Sequence, residues 1–290
     1  MSIVYLNGEL ISAENATVSV FDRGFLLGDG VYEVIPAFNG KLFRLKAHLD
    51  RLQDSLDAIR LKNPLSYAQW QEVLEQVIAK NRHPELSVYL QVTRGVAVRD
   101  HAFPADAAPG IFIMANSIEK LAESYYVNGV SAITLPDNRW QRCNIKAISL
   151  LPNVLLRQQA VEQGAAEAIL IRDGNVTEGA ASNVFVVHRG KILTPPKGPY
   201  ILPGITRDLV LELAIENKMD CAEADITEEM LFNADEVWVT SSTKEILPVT
   251  KLDAKLVGCG DQAGRPGPVW QVMVEIYRAY KSTLISQTSD

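Results

Sequence analysis

Cysteine is scarce in this chain. Cys143, Cys221 and Cys259 stand far apart, their number is odd, and no CxxC pair occurs. That fits a reducing compartment and excludes a cysteine-built zinc site. The four histidines, His48, His83, His101 and His188, show no metal-ligand spacing, so no metal is expected. The start, Met1-Ser2-Ile3-Val4-Tyr5, lacks a basic region followed by an apolar run, and no signal peptide is expected. No apolar run approaches membrane-spanning length. Together these point to a cytoplasmic protein. Positive charge is in deficit as well: 28 Lys and Arg against 35 Asp and Glu give a net charge of −7. Nothing in that balance favours nucleic acid or an acidic membrane as partner. Internal repeats and low-complexity tracts are absent.

What is there suits a globular protein, with 47% hydrophobic and 22% charged residues. A chain of 290 residues is long enough for two cores. The polar, aperiodic stretch after residue 115 marks the division. It predicts a small N-terminal domain at 1–117, a linker at 118–125 and a larger domain at 126–290. Asn7-Gly8 and Asn39-Gly40 lie between strand-like runs and predict hairpin turns. Leu45, Leu49, Leu52, Leu56 and Ile59 recur at helical spacing, and Ser66 with Gln69 reads as a capping box opening a second helix. After Gly28 and Gly30, a strand should carry Tyr32 and Val34 on one face. Residues 86–93 and 110–115 read as strands. In the second half, strands are predicted at 130–135, 167–171, 184–187, 191–194 and 236–240, and helices at 153–163, 207–216 and 269–280. Gly164 would terminate the first of these helices. The irregular mixture of elements predicts an α/β (α+β) architecture.

Lys146 draws attention because apolar Ile145 and Ile148 flank it. Burial disfavours an ammonium, and a lysine that is partly neutral can attack a carbonyl to form a Schiff base. Taken alone, the stretch reads first as a surface lysine with a buried stem and its head in water. Glu178 follows in Val176-Thr177-Glu178-Gly179-Ala180. Further on, Gly204-Ile205-Thr206 opens a helix whose backbone N–H groups, hydroxyl and dipole could cradle a phosphate, or simply form an N-cap. Arg51 lies off the apolar stripe of its helix, where a solvated face is the simplest reading. Pyridoxal phosphate chemistry needs a lysine, a carboxylate at the pyridine nitrogen and a phosphate cup. Lys146, Glu178 and the Gly204 turn could supply these, with Arg51 and Ser242 completing the cup.

With those residues in order, the chain resembles the fold type IV pyridoxal-phosphate aminotransferases from Tyr5 to the terminal helix. The ordered set is Phe21-Asp22-Arg23-Gly24-Phe25, Gly28 to Glu33, His48 to Leu52, Lys146, Val176 to Phe185, Gly204 to Asp208 and Val239 to Ile246. The resemblance implies two mixed α/β domains with the cofactor at the domain interface. It implies that Lys146 is the catalytic Schiff-base lysine, and that Glu178 binds the pyridine nitrogen. Arg51, Ile205, Thr206 and Ser242 would hold the phosphate, with Ser182 and Asn183 also contacting cofactor.

The segment Val98-Arg99-Asp100-His101 resembles the carboxylate trap of the D-amino acid aminotransferases within that family. Arg99 and His101 both donate to anions, although by spacing alone they read as a solvated loop. The resemblance implies that Tyr32 joins an arginine and a histidine of the neighbouring subunit, with Val34 also near substrate, and therefore a homodimer. Ping-pong transamination would run from D-alanine or another D-amino acid to 2-oxoglutarate or pyruvate. Branched-chain L-amino acid aminotransferases and aminodeoxychorismate lyases share the cofactor residues and stand as rivals, as does a non-catalytic member of the fold. Asp100 and the loop at 258–268 receive no role.

Overall fold

The structure, a computed structural model, describes residues 2–286. The chain divides into two compact units: residues up to Glu119 together with Ile145–Leu150, and Lys120–Asn144 together with the chain from Leu151.

In the first unit, β1 (Ile3–Leu6) and β2 (Glu9–Ser12) form the hairpin that Asn7-Gly8 predicts, and both turn residues adopt positive φ. A short α1 (Arg23–Leu27) precedes β3 (Gly30–Phe38), which turns through Asn39-Gly40 into β4 (Lys41–Leu42). Helices α2 (Leu45–Ala58) and α3 (Tyr67–Lys80) follow, then β5 (Glu85–Thr93) and β6 (Gly110–Ser117). The six strands lie in the order β2-β1-β6-β5-β3-β4, and every pairing is antiparallel. The capping box forms, with Ser66 and Gln69 satisfying each other's backbone N–H.

The alternation in β3 decides what the unit can do. Val31, Glu33 and Ile35 point into the core, while Tyr32 and Val34 share the half-exposed face. Leu52 and Leu56 of α2, Trp70 and Leu74 of α3, and Val88, Leu90 and Ile113 of the sheet fill that core. Each such side chain contributes about 1.5–3 kcal/mol by leaving water.

In the second unit, α4 (Glu123–Asn128) leads into β7 (Val130–Pro136). Next come α5 (Leu151–Glu162), β8 (Glu167–Arg172), β9 (Asn175–Gly179), β10 (Asn183–His188) and β11 (Lys191–Thr194). The chain ends with α6 (Ile205–Glu216), β12 (Cys221–Glu223), α7 (Glu228–Phe232), β13 (Glu236–Ser241), β14 (Glu245–Leu252), β15 (Lys255–Leu256) and α8 (Pro268–Ser286). The sheet runs β12-β11-β10-β13-β14-β7-β8-β9, with β15 added to β14. Val184, Val186, Val237 and Val239 pack in one apolar cluster, and the Phe185 ring stacks on Trp238 at 6.1 Å. Buried Glu236 accepts the N–H groups of Val269 and Trp270 and so caps the start of α8.

Three features depart from expectation. Residues 118–125 are not all linker, because α4 begins at Glu123 and packs on β14. The sequence reading missed β14, since Pro248 argues against an interior strand. Pro248 is tolerated where pairing to β7 has not yet begun; that ladder starts at Val249. Finally, Ile145–Leu150 was expected within the 126–290 domain but clusters with the first unit. Ile145 is buried in the first unit's core, Ala147 bridges Val31, and Ile148 N–H donates to the Gly30 carbonyl at 3.1 Å.

Candidate active site

In the first unit, Lys146 is fixed by its own backbone. Its N–H donates to the Ser55 hydroxyl at 3.2 Å, and its carbonyl accepts the Tyr32 N–H at 2.9 Å. These bonds bring the Lys146 amine over the Tyr32 ring, with Nζ 4.1 Å from the centroid. Tyr32 in turn stacks on Tyr89 at 5.6 Å, and the Tyr89 hydroxyl donates to Gln91 at 2.7 Å. Thus lysine, tyrosine and, two residues along the same strand face, Val34 line one surface.

Arg51 is buried rather than solvated, because α2 packs that side onto β3. Its Nε and Nη2 donate to the two oxygens of Glu33, each at 2.8 Å, and His48 Nδ1 lies 2.8 Å from Glu33 Oε2. Burial acts to raise the Glu33 pKa, but Arg51 and His48 outweigh it and hold the carboxyl well below its ordinary value. Burial pushes the His48 pKa down. The result is a rigid guanidinium backed by a fully buried carboxylate.

Arg99 and His101 occupy the exposed loop between β5 and β6. Arg23 Nη1 donates to the carbonyls of Asp100 at 2.6 Å and Ala102 at 3.2 Å. Asp100 therefore contributes its backbone to that anchorage, while its carboxylate accepts the Ala102 N–H at 3.3 Å.

In the second unit, Glu178 ends β9 and is buried. Its Oε1 accepts from Arg139 at 2.5 Å; its Oε2 accepts the Leu202 N–H at 2.9 Å and the Asn183 amide at 3.2 Å. Burial pushes the Glu178 carboxyl up to about 7, against the opposing pull of Arg139 and the Leu202 N–H. Asn183 also donates to the Leu202 carbonyl at 2.9 Å, tying the start of β10 to the turn before α6. Gly204 is the N-cap of α6 and provides no capping side chain, whereas Thr206 is buried inside the first turn. A Cβ on Gly204 would lie 1.9 Å from the Asn183 carboxamide oxygen, so any side chain there would have to displace the Asn183 amide. Thr240 pairs with Asn183 across β13 and β10, which puts the Ser241–Lys244 turn, with Ser242, at the same sheet end. The Thr240 hydroxyl is buried without a hydrogen-bond partner among the described residues. Ser182 donates its hydroxyl to buried Glu167 at 2.8 Å.

Arg139 escaped the sequence reading. It is buried, grips Asp137 through Nε and Nη2, and reaches Glu178 through Nη1. Its one signal was a charged pair, Asp137 and Arg139, where β7 ends. Glu33 likewise received no role from the sequence, and α2 lays His48 and Arg51 against it.

Comparisons with known proteins agree with these features. The profile of the family described as "Amino-transferase class IV" matches residues 30–252. The D-alanine aminotransferase of Bacillus licheniformis is 42% identical over 286 residues, covering 99% of this chain and 98% of the relative. That of Staphylococcus haemolyticus is 40% identical over 281 residues, covering 97% and 98%. Among solved structures, the Escherichia coli branched-chain amino acid aminotransferase superposes with TM-score 0.88 at 28% identity, over 100% of this chain and 96% of that one. A second branched-chain amino acid aminotransferase, solved with pyridoxamine 5'-phosphate, superposes with TM-score 0.88 at 25% identity, over 99% and 95%. A profile that spans both units and relatives that run nearly end to end agree, and the chain belongs to the class IV aminotransferases.

Proposed function

We propose that this protein transfers the amino group of a D-amino acid such as D-alanine to a 2-oxo acid, 2-oxoglutarate or pyruvate, using pyridoxal 5'-phosphate. The observation that carries this reading is the near-full-length identity to D-alanine aminotransferases. The residues suit the cofactor. A buried carboxyl held in place by Arg139, Asn183 and the Leu202 N–H is suited to pair with a protonated pyridine nitrogen. An uncapped helix start at Gly204 suits a phosphate, and the Thr240 hydroxyl is buried with no hydrogen-bond partner among the described residues.

When bound, the cofactor supplies an electron sink for the substrate Cα. Lys146 would be its attachment point, and the lysine amine, once freed by the incoming substrate amine, would carry the proton between the substrate Cα and the cofactor C4′. Glu178, steadied by Arg139 and Asn183, would hold the proton at the pyridine nitrogen. Arg51, Ile205 N–H, Thr206 and Ser242 would hold the phosphate, with Ser182 and Asn183 also contacting the cofactor. Tyr32 and Val34 flank the reacting end. Arg99 and His101 bind the substrate carboxylate, which fixes the face on which Cα loses its hydrogen and so selects the D-enantiomer. The two half-reactions alternate in ping-pong order.

The trap is completed in a homodimer. Val18, Val20, Phe21, Phe25, Val96 and Val98 form an exposed apolar surface in the first unit, and the Asp22–Val96 bridge joins its two segments. Water-exposed surface of this kind favours a protein partner. No helix among the described residues is long and apolar enough to cross a membrane. Three free cysteines fit a cytoplasmic setting.

The test supplies the purified enzyme with 2-oxoglutarate and either D-alanine or L-leucine, and follows the keto products. D-alanine should turn over and L-leucine should not, and Lys146→Ala should abolish turnover. L-leucine turnover alone would discard the stereochemical reading, and full activity in Lys146→Ala would discard the cofactor assignment.

A further inference from the structure

Arg23 and Arg94 are both buried, and neither packs against the core as an apolar side chain would. Both donate to Asp29, and each also touches the loop that carries Arg99 and His101, Arg23 through hydrogen bonds and Arg94 through the Phe103 ring. Arg23 Nε and Arg94 Nε both donate to Asp29 Oδ2 at 2.8 Å. From this fixed centre Arg23 reaches the carbonyls of Asp100 and Ala102, on either side of His101. Arg94 donates to the Ile59 carbonyl at 2.8 Å and presents its guanidinium to the Phe103 ring, with Cζ 3.8 Å from the centroid. Arg60 faces the same ring at 4.9 Å. The neck of the loop is pinched as well. Arg23 N–H donates to the Gly95 carbonyl at 2.9 Å, and Gly95 has φ +90°. A Cβ there would lie 1.9 Å from the Ala108 carbonyl oxygen.

Burying two guanidiniums is costly unless their donors are well used. Here the loop contacts fall on backbone at 100 and 102 and on the ring at 103, so they leave the side chains of Arg99 and His101 free to bind. Had the loop to be ordered by the substrate, the lost chain entropy would come out of the binding affinity.

We propose that Arg23, Asp29, Arg94 and Phe103 form a clamp that preorganises the loop from Val96 to Pro109, and that the clamp sets the affinity for the substrate carboxylate. The proposal rests on the reading of Arg99 and His101 as the carboxylate site. These four are positioning residues, and each chain rigidifies the loop that it offers to substrate.

Phe103 is the residue to test, because at 48% exposure its replacement does not endanger folding. Phe103→Leu keeps the bulk and loses the ring face, whereas Phe103→Tyr keeps both. Kinetics of the cofactor-loaded enzyme and amide exchange of the segment 98–104 would be measured for both, with Arg99→Ala as the reference. A ring–guanidinium contact of this kind corresponds to about a threefold to thirtyfold effect. Phe103→Leu should therefore raise KM for D-alanine by about that factor, leave kcat within about twofold, and speed exchange at 98–104. Phe103→Tyr should match the wild type. The clamp is refuted if Phe103→Leu leaves KM unchanged, if Phe103→Tyr is impaired equally, or if kcat falls while KM holds. Arg99→Ala separates the two ideas. An unchanged KM in that variant removes the carboxylate reading itself, while a raised KM there beside an unchanged Phe103→Leu removes the clamp alone.

Discussion

The ionisation of Glu178 leads to a quantitative prediction. The side chain is 5% exposed, and burial moves its carboxyl from 4.5 to about 7 despite Arg139 at 2.5 Å. Below pH 4.5 the group is neutral in both folded and unfolded chains. Between 4.5 and about 7 the folded chain keeps its proton while the unfolded chain has released it. Stability must therefore fall as pH rises through that window, and level off above it. At about 1.36 kcal/mol per unit, the loss is roughly 3 kcal/mol. Glu178→Gln removes this titration. Urea unfolding of the cofactor-free enzyme between pH 4.5 and 8, followed by circular dichroism, gives the difference between wild type and variant and cancels every other titrating group. The difference should drift by about 3 kcal/mol in favour of the variant as pH rises. Parallel profiles would refute the reasoning and mean that Arg139 keeps the carboxyl ionised throughout. Saturation with pyridoxal phosphate should flatten the drift, since a protonated ring nitrogen favours the carboxylate.

Other expectations follow from single contacts. Glu33→Gln leaves Arg51 without its buried counter-charge and should lower unfolding free energy by about 3–5 kcal/mol in a denaturant titration. Because the Glu33 pKa is held low, that pair's contribution persists above pH 4.5 and fades on acidification; a wild-type profile flat into strong acid would contradict it. Gly95→Ala forces a Cβ toward the Ala108 carbonyl at positive φ and should lower the melting temperature by several degrees for roughly 2 kcal/mol or more; an unchanged melting curve would show that the neck is not pinched. Gly204→Ala pushes against Asn183 and should weaken cofactor binding at least about tenfold by equilibrium dialysis, with unaltered affinity counting against the cup.

Local chemistry was legible in the sequence. The Asn-Gly turns, the capping box and the two-residue period that puts Tyr32 and Val34 on one face of β3 all depend on neighbours in the chain, and all are present. What escaped is non-local. Arg51 looked solvated because nothing within its helix shows that Glu33, on another element, will receive it. Arg139 lies 39 positions from Glu178, and only the parallel pairing of β7 with β8 and the turn into β9 bring them together. Lys146 stood out by its apolar neighbours Ile145 and Ile148 and was given its role by resemblance, while its membership in the first unit could not be read from spacing.

That membership bears on how the chain is made. Strands β1 to β6 and helices α1 to α3 of the first unit have been synthesised by residue 119, yet the edge of that unit stays unfinished until Ile145–Leu150 emerges. Domains tend to fold as they leave the ribosome, N-terminal parts first. Here vectorial folding is held open for one short segment: Ile145 must reach the core and Ala147 must dock beside Val31 before the first unit closes. The last piece to arrive carries Lys146. A nascent chain therefore gains Lys146, the amine proposed to carry the cofactor, in the same event that completes its first core, and a fragment ending at residue 119 would have neither.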